Sequence, residues 1–104
     1  MIPFGYVGKN AGKYFDPSTA KLLHEHTFAA RDEFLFMETD ISRYYKKGDR
    51  FFIVYEKHGR GCVARNSKPY CHEIAFALMV DALNNLGFSK SEIEAKLECT
   101  IEVV

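Results

Sequence analysis

No stretch of this 104-residue chain approaches the roughly 18 apolar residues that a membrane-spanning helix needs. Its longest apolar run, Ile74 to Val80, falls far short of that. Met1-Ile2-Pro3-Phe4-Gly5 has neither a basic segment nor an apolar core ending in small residues, the marks of a secretory leader. A cytoplasmic protein is therefore expected. Cysteine is scarce: Cys62, Cys71 and Cys99 are an odd number. Outside a secretory context they read as free thiols in a reducing compartment, at least one of which cannot pair within the chain. Internal repeats, low-complexity tracts and linkers are missing as well, since glycine and proline are scattered singly or in turn-like pairs. Net charge is missing too. Fourteen Lys and Arg balance fourteen Asp and Glu, which removes any whole-protein attraction to nucleic acid or anionic membranes.

What is present is 47% apolar and 27% charged residues, the profile of one small globular domain spanning 1–104. A chain of this size buries about 60–70% of its unfolded surface, enough for one core without disulfides. The charge is unevenly placed. Met1 to His72 carries 12 basic against 8 acidic residues, and Glu73 to Val104 carries 2 against 6. Such halves either form an interaction surface or attract each other within the fold.

Asp16-Pro17-Ser18-Thr19 has two readings. Asp16 can cap a helix with Pro17 in its first position, or the two can open a type I turn. Under the second reading Ala20, Leu22, His24, His26 and Phe28 alternate on one face of a strand. Phe34 to Met37 and Ile41 to Tyr45 have strand composition, with a break expected at Thr39-Asp40. Gly48-Asp49 suits a two-residue type II′ hairpin loop, glycine taking the place where φ is positive. That loop sets Lys47 opposite Arg50, Lys46 opposite Phe51, Tyr45 opposite Phe52, Tyr44 opposite Ile53 and Arg43 opposite Val54. Phe51 to Tyr55 is continuously apolar, as a central strand covered on both faces would be. His58 to Ser67 reads as a loop or short strand. A long helix is expected from Pro69 to Leu86, capped by Asn66 or Ser67 and ended by Gly87, with a narrow polar stripe through Glu73, Ala77, Asp81 and Asn84/Asn85. Ser89-Lys90-Ser91-Glu92 is a capping box opening a second, short helix through Leu97, and Cys99 to Val104 alternates as a closing strand. The fold class is α+β: an antiparallel sheet packed on the long helix, with a short second helix and a C-terminal strand.

Catalytic signals are weak. Gly8-Lys9-Asn10-Ala11-Gly12-Lys13 resembles a phosphate loop in composition, but the glycine spacing is one residue short and Tyr14 stands where Ser or Thr belongs. His24 and His26, with Cys62, Cys71 and His72, offer zinc-ligand chemistry without the two tight ligand pairs of structural sites; partly exposed strand histidines are the simpler reading. Cys71, placed in the first turn of the expected helix, would have its thiol acidified by the helix dipole, but no imidazole is set beside it by the sequence. Glu33, Glu38, Asp40, Glu92, Glu94 and Glu98 read as surface charge. No catalytic residue, metal or cofactor is assigned.

The least uniform feature is the segment from Arg43 to Lys68. Its basic residues Arg43, Lys46, Lys47, Arg50, Lys57, Arg60, Arg65 and Lys68 face only Asp49 and Glu56, a net charge of +6. These eight are the expected partner-binding residues. An acidic protein surface stands ahead of nucleic acid as the partner, because the interleaved Tyr44, Tyr45, Phe51 and Phe52 are wanted in the core and are not free to stack on bases. A small enzyme built on Cys71 is the rival of another class. The broadly apolar Pro69 to Leu86 helix is a candidate homodimer surface.

Lys13-Tyr14-Phe15-Asp16, Thr19-Ala20-Lys21-Leu22 and Arg43-Tyr44-Tyr45-Lys46-Lys47-Gly48 with Phe51-Phe52, followed by two helices, form an order that resembles small accessory proteins of phages and plasmids. Those proteins carry a Tyr-Asp-Thr…Thr-Ala turn and a Leu-Tyr-Arg-Thr-x-x-Gly-x-Tyr-Phe hairpin. Here Ser42-Arg43-Tyr44-Tyr45 replaces the usual Leu-Tyr-Arg-Thr, and the Gly-rich segment after the hairpin is reduced to His58-Gly59-Arg60-Gly61. The resemblance favours the turn reading at Asp16 to Thr19. It implies a partner-binding, non-enzymatic role, by analogy that of an anti-defence protein such as a CRISPR inhibitor.

Overall fold

The computed structural model describes residues 1–5, 8–31, 37–60 and 67–104. Strand β1 (Ile2–Pro3) pairs with β2 (Tyr14–Phe15). A 3₁₀ turn over Pro17–Thr19 follows, then β3 (Lys21–Arg31), β4 (Met37–Lys47), β5 (Arg50–Arg60) and β6 (Ser67–Ile74), and finally α1 (Phe76–Asn85) and α2 (Lys90–Leu97). The four longer strands form one antiparallel sheet in the order β3-β4-β5-β6, so the architecture is α+β. Both readings of Asp16 to Thr19 hold a part of what forms. Asp16 caps the 3₁₀ turn, its Oδ1 accepting from the Ser18 backbone N–H and hydroxyl, with Pro17 at the first position. The turn then releases into a strand, not an α-helix.

The β4–β5 hairpin has the register expected from its loop, from Lys47 opposite Arg50 to Arg43 opposite Val54. Gly48 has φ +62°, and the only non-glycine residue with positive φ among those described is Glu98, so Asp49 has the negative φ of a II′ turn. The break expected at Thr39-Asp40 does not occur. Thr39 and Asp40 pair with Ala29 and Phe28 on one side and with His58 and Lys57 on the other, and ladder bonds on both sides override a weak local preference. Of the expected strand at Phe34 to Met37, only Met37 lies within the described residues. Of the loop or short strand expected over His58 to Ser67, His58, Gly59 and Arg60 continue β5 and Ser67 opens β6, while residues 61–66 lie outside the described residues.

The expected Pro69 to Leu86 helix is shorter at its start. Ser67–Ile74 is a strand, and α1 begins only at Phe76. β5 is apolar on both faces and takes a ladder partner on each side; β6 supplies the second, Tyr70 lying opposite Tyr55 and Cys71 opposite Val54. Pro69 is tolerated because β6 is an edge strand, where a missing N–H need not break a ladder. The burial has period 2: Cys71 is wholly buried while Tyr70 and His72 are exposed. At the far end α1 stops as expected. Gly87, at φ +99°, donates to Asn84 O and Phe88 N–H reaches back to Leu83 O, a Schellman closure that needs the left-handed residue. The capping box at Ser89 forms, Ser89 Oγ accepting from Glu92 N–H and Glu92 Oε1 from Ser89 N–H. The expected C-terminal strand does not form. Cys99 N–H donates to Glu94 O and Ile101 N–H to the Glu94 carboxylate, which spends these donors beside α2 and not on a sheet edge.

Two cores result, one on each face of the sheet. Met79 and Leu83 of α1 and Ile93 and Leu97 of α2, each pair one helical turn apart, pack on Leu23, Tyr44, Phe51 and Ile53. On the other face Phe15, with Ile2 and Phe4, covers Tyr45, Phe52, Val54 and Cys71, Phe15 stacking on Phe52 at 4.7 Å. Both covers lie over the half of the sheet nearest the Gly48 turn.

Candidate binding surfaces

The eight basic residues expected to form one surface are divided by the fold. Strand alternation sends Arg43 to the Phe15 side, where its Nε donates to Glu25 Oε2 at 2.8 Å and its Nη1 to Glu56 Oε1. Those two carboxylates hold the guanidinium charged above its ordinary range, and Arg43 in turn pulls Glu56 below the usual carboxylate value. Lys46 points to the helix side, with Nζ 3.7 Å from Glu98 Oε2, and Lys21 approaches the same carboxylate at 3.0 Å. Lys57 lies far from the turn, 3.9 Å from Asp40, and Lys68 is exposed on the β6 edge. Arg60 ends β5; its side chain, and all of Arg65, lie outside the described residues.

Lys47 and Arg50 remain together at the hairpin tip. There they are joined by two cations that the basic-segment reading leaves out. The loop between β1 and β2 folds over the Phe15 side and brings Lys9 and Lys13 to the same end. Lys13, Tyr14, Asp16, Lys47 and Arg50 line one cavity of about 150 Å³. Lys9, Asn10, Arg50, His72 and Glu73 line a larger neighbouring cleft of about 480 Å³. The sequence signal for Lys9 and Lys13 was the Gly8 to Lys13 loop, whose spacing excluded a nucleotide-binding motif but whose two lysines still reach the tip.

Glu73 is the hub of this end. It comes from the acidic C-terminal third and accepts from Arg50 Nε and Nη2, each at 2.8 Å, and from Asn10 Nδ2 at 2.8 Å, with Lys9 Nζ at 3.7 Å. These donors, Arg50 foremost, hold its carboxyl at a pKa of about 2. With Glu98 taking Lys21 and Lys46, two acidic residues of the C-terminal segment pair with four cations of the N-terminal one inside the fold. Lys47 donates to the Thr19 hydroxyl, and Lys13 has no carboxylate partner among the described residues.

The helix-dipole argument for Cys71 fails, because the residue lies in β6 and not at a helix start. Burial pushes its thiol up to about 12, and a protonated, enclosed thiol is a poor nucleophile. Iodoacetamide at pH 7.5 should therefore leave Cys71 unmodified in the folded protein and label it after denaturation, as read by peptide mass spectrometry. Labelling of the native protein would favour the enzyme reading. Of the zinc set, Cys62 lies outside the described residues and the others are not brought together: Cys71 faces the Phe15 core, whereas His24, His26 and His72 lie on the opposite face. His24 stacks near His26 at 6.4 Å and meets Phe88 edge-on at 4.9 Å, and its burial lowers its pKa.

No protein-family model matches the chain, and neither a curated protein nor a solved structure is significantly similar to it.

Proposed function

We propose that the protein is a non-enzymatic binding module that engages an acidic protein surface through its hairpin tip. The observation that carries this reading is the gathering of Lys9, Lys13, Lys47 and Arg50 at one end, where Glu73 accounts for Arg50 and Lys9 but Lys13 and Lys47 have no carboxylate within ion-pair distance among the described residues. Charge at a partly recessed site steers and orients an oppositely charged partner. The role implied by the resemblance, a mobile-element accessory protein with an anti-defence activity, is of this contact type and needs no catalytic residue. The same reading keeps a second copy of the chain as a partner for the outer side of α1, where Phe76 is 41% and Leu78 56% exposed.

Fluorescein-labelled poly-L-glutamate of about 20 residues is the probe for the tip. The wild-type protein should bind it saturably at about 50 mM salt and weaken by 200 mM, as screening requires. Lys13→Glu/Lys47→Glu should lower the affinity at least about tenfold, while Lys68→Glu, at the other end of the sheet, should leave it unchanged. The Arg50–Glu73 pair is left intact so that folding is preserved. Equal binding by the wild type and the double variant would sink the assignment.

A further inference from the structure

The four-stranded sheet ends in two edges of different character. β6 carries Lys68 and Pro69 and pairs with β5 through a shifted register, features that keep another strand from adding to an edge. β3, at the other end of the strand order, has 11 residues and no proline. Its first part is occupied: Lys96 Nζ donates to Leu23 O at 3.1 Å, Phe88 meets His24 edge-on at 4.9 Å, and Lys21 pairs with Glu98. From Glu25 to Ala29 every residue is exposed, Phe28 by 57%. No strand among the described residues lies beyond it.

The backbone of this stretch is aimed outward at alternate residues. In a two-residue hairpin the residues flanking the loop, here Lys47 and Arg50, exchange both of their backbone hydrogen bonds. Alternation along β4 then turns the backbone of Tyr44, Ser42 and Asp40 toward β3, where they face His24, His26 and Phe28. The N–H and C=O groups of Glu25, Thr27 and Ala29 therefore point away from the sheet. Such a row has one kind of complement, another extended strand.

The sequence of the edge favours a copy of itself. Antiparallel pairing about a two-fold axis normal to the sheet keeps every residue on its own face, which leaves one residue opposite itself at the axis. An axis at Glu25 opposes two carboxylates, and axes at His26, Thr27 or Ala29 make shorter ladders and match no opposite charges. With the axis at Phe28, the two Phe28 rings form a close, non-hydrogen-bonded pair, Thr27 lies opposite Ala29, and Glu25 lies opposite Arg31, the last residue of β3. Opposite charges then meet at both ends of the ladder, and an exposed ring is covered at its centre. Glu25 has a side chain 47% exposed beside Arg43, so a second cation can reach its carboxylate.

We propose that the protein forms a two-fold dimer in which the Glu25 to Arg31 edges of two copies pair antiparallel with Phe28 at the axis, joining their sheets into one. This interface is separate from the hairpin tip and from the outer side of α1, and it goes beyond the function proposed above.

Sedimentation velocity of the full chain at about 1–300 μM, a range suited to a small interface, reads the assembly. A concentration-dependent rise from 11.9 kDa toward twice that mass is expected. Thr27→Pro removes an outward N–H without touching the β3–β4 ladder, and it should leave only monomer while circular dichroism shows the fold intact. Glu25→Lys and Arg31→Glu each set like charges opposite one another at both ends, and each alone should weaken the dimer at least about tenfold. Mixed in equal amounts, these two variants should dimerise within about threefold of the wild type, because every opposed pair in the mixed dimer is again of opposite sign. That rescue decides the matter should Thr27→Pro fail to fold. A wild-type chain that stays monomeric at every concentration, a dimer indifferent to both charge variants, or a mixture that stays monomeric would overturn the proposal. So would a folded Thr27→Pro that still dimerises, and loss of that dimer in Leu78→Glu would assign the contact to α1.

Discussion

Replacing Leu83 by alanine should destabilise the protein by about 2–5 kcal/mol, the cost of removing buried leucine atoms and leaving a cavity. Leu83 is wholly buried where α1, α2 and the sheet meet, among Met79, Ile93, Leu97, Tyr44, Phe51 and Ile53. α1 has 10 residues and α2 has 8, and isolated helices shorter than about 12–15 residues are marginal in water. Both helices therefore depend on this contact more than on their own propensity. The expected record is a lower urea midpoint, read by circular dichroism. Leu78→Ala, on the outer side of the same helix with 56% exposure, should change stability by no more than about 0.5 kcal/mol. A Leu83→Ala cost as small as that would mean that the helices do not pack on the sheet in this way.

Glu73 should make the protein acid-sensitive in a defined window. Its carboxyl titrates near 4.5 when unconstrained and at about 2 in the fold. The native state thus prefers the charged form, and this contribution is complete above about pH 4.5 and is lost as pH falls toward 2. The shift corresponds to a ceiling of about 3 kcal/mol. Arg50, its main partner, has a side chain 51% exposed, and solvent screening brings the expected figure to about 1–2 kcal/mol. Glu73→Gln should lose that amount at pH 7, and the wild-type advantage should vanish between pH 4.5 and 2 in paired urea titrations. A difference that stays constant over that range would show that the Arg50–Glu73–Asn10 cluster does not carry the stability assigned to it.

Local signals were reliable wherever the chemistry was local. The Gly48 turn dictated its hairpin register, because a two-residue loop leaves one pairing. Gly87 and the Ser89 capping box marked helix ends, because their hydrogen bonds close within a few residues. Ser67 to Ile74 misled for the opposite reason. Proline after serine, ahead of an apolar run, is locally a helix start, but β5 is apolar on both faces and takes its second strand partner from this segment. Cys71 changed from a helix-terminal thiol to a core one by the same event. The tip was half legible: Lys47 and Arg50 stood out, whereas Lys9 and Lys13 reach them only because the β1–β2 loop folds back across the sheet.

From the sequence alone came the α+β class, the β4–β5 hairpin, the short capped helix, the lack of a membrane-spanning helix and the opposite charges of the two halves. Each rests on periodicity, turn chemistry or composition, which are properties of neighbouring residues. Only the tertiary structure decided that those charges meet in Arg50–Glu73 and Lys46–Glu98 and not on a continuous basic surface. It alone also left the Glu25 to Ala29 stretch of β3 as an open edge, because contacts between distant segments depend on which strands pair.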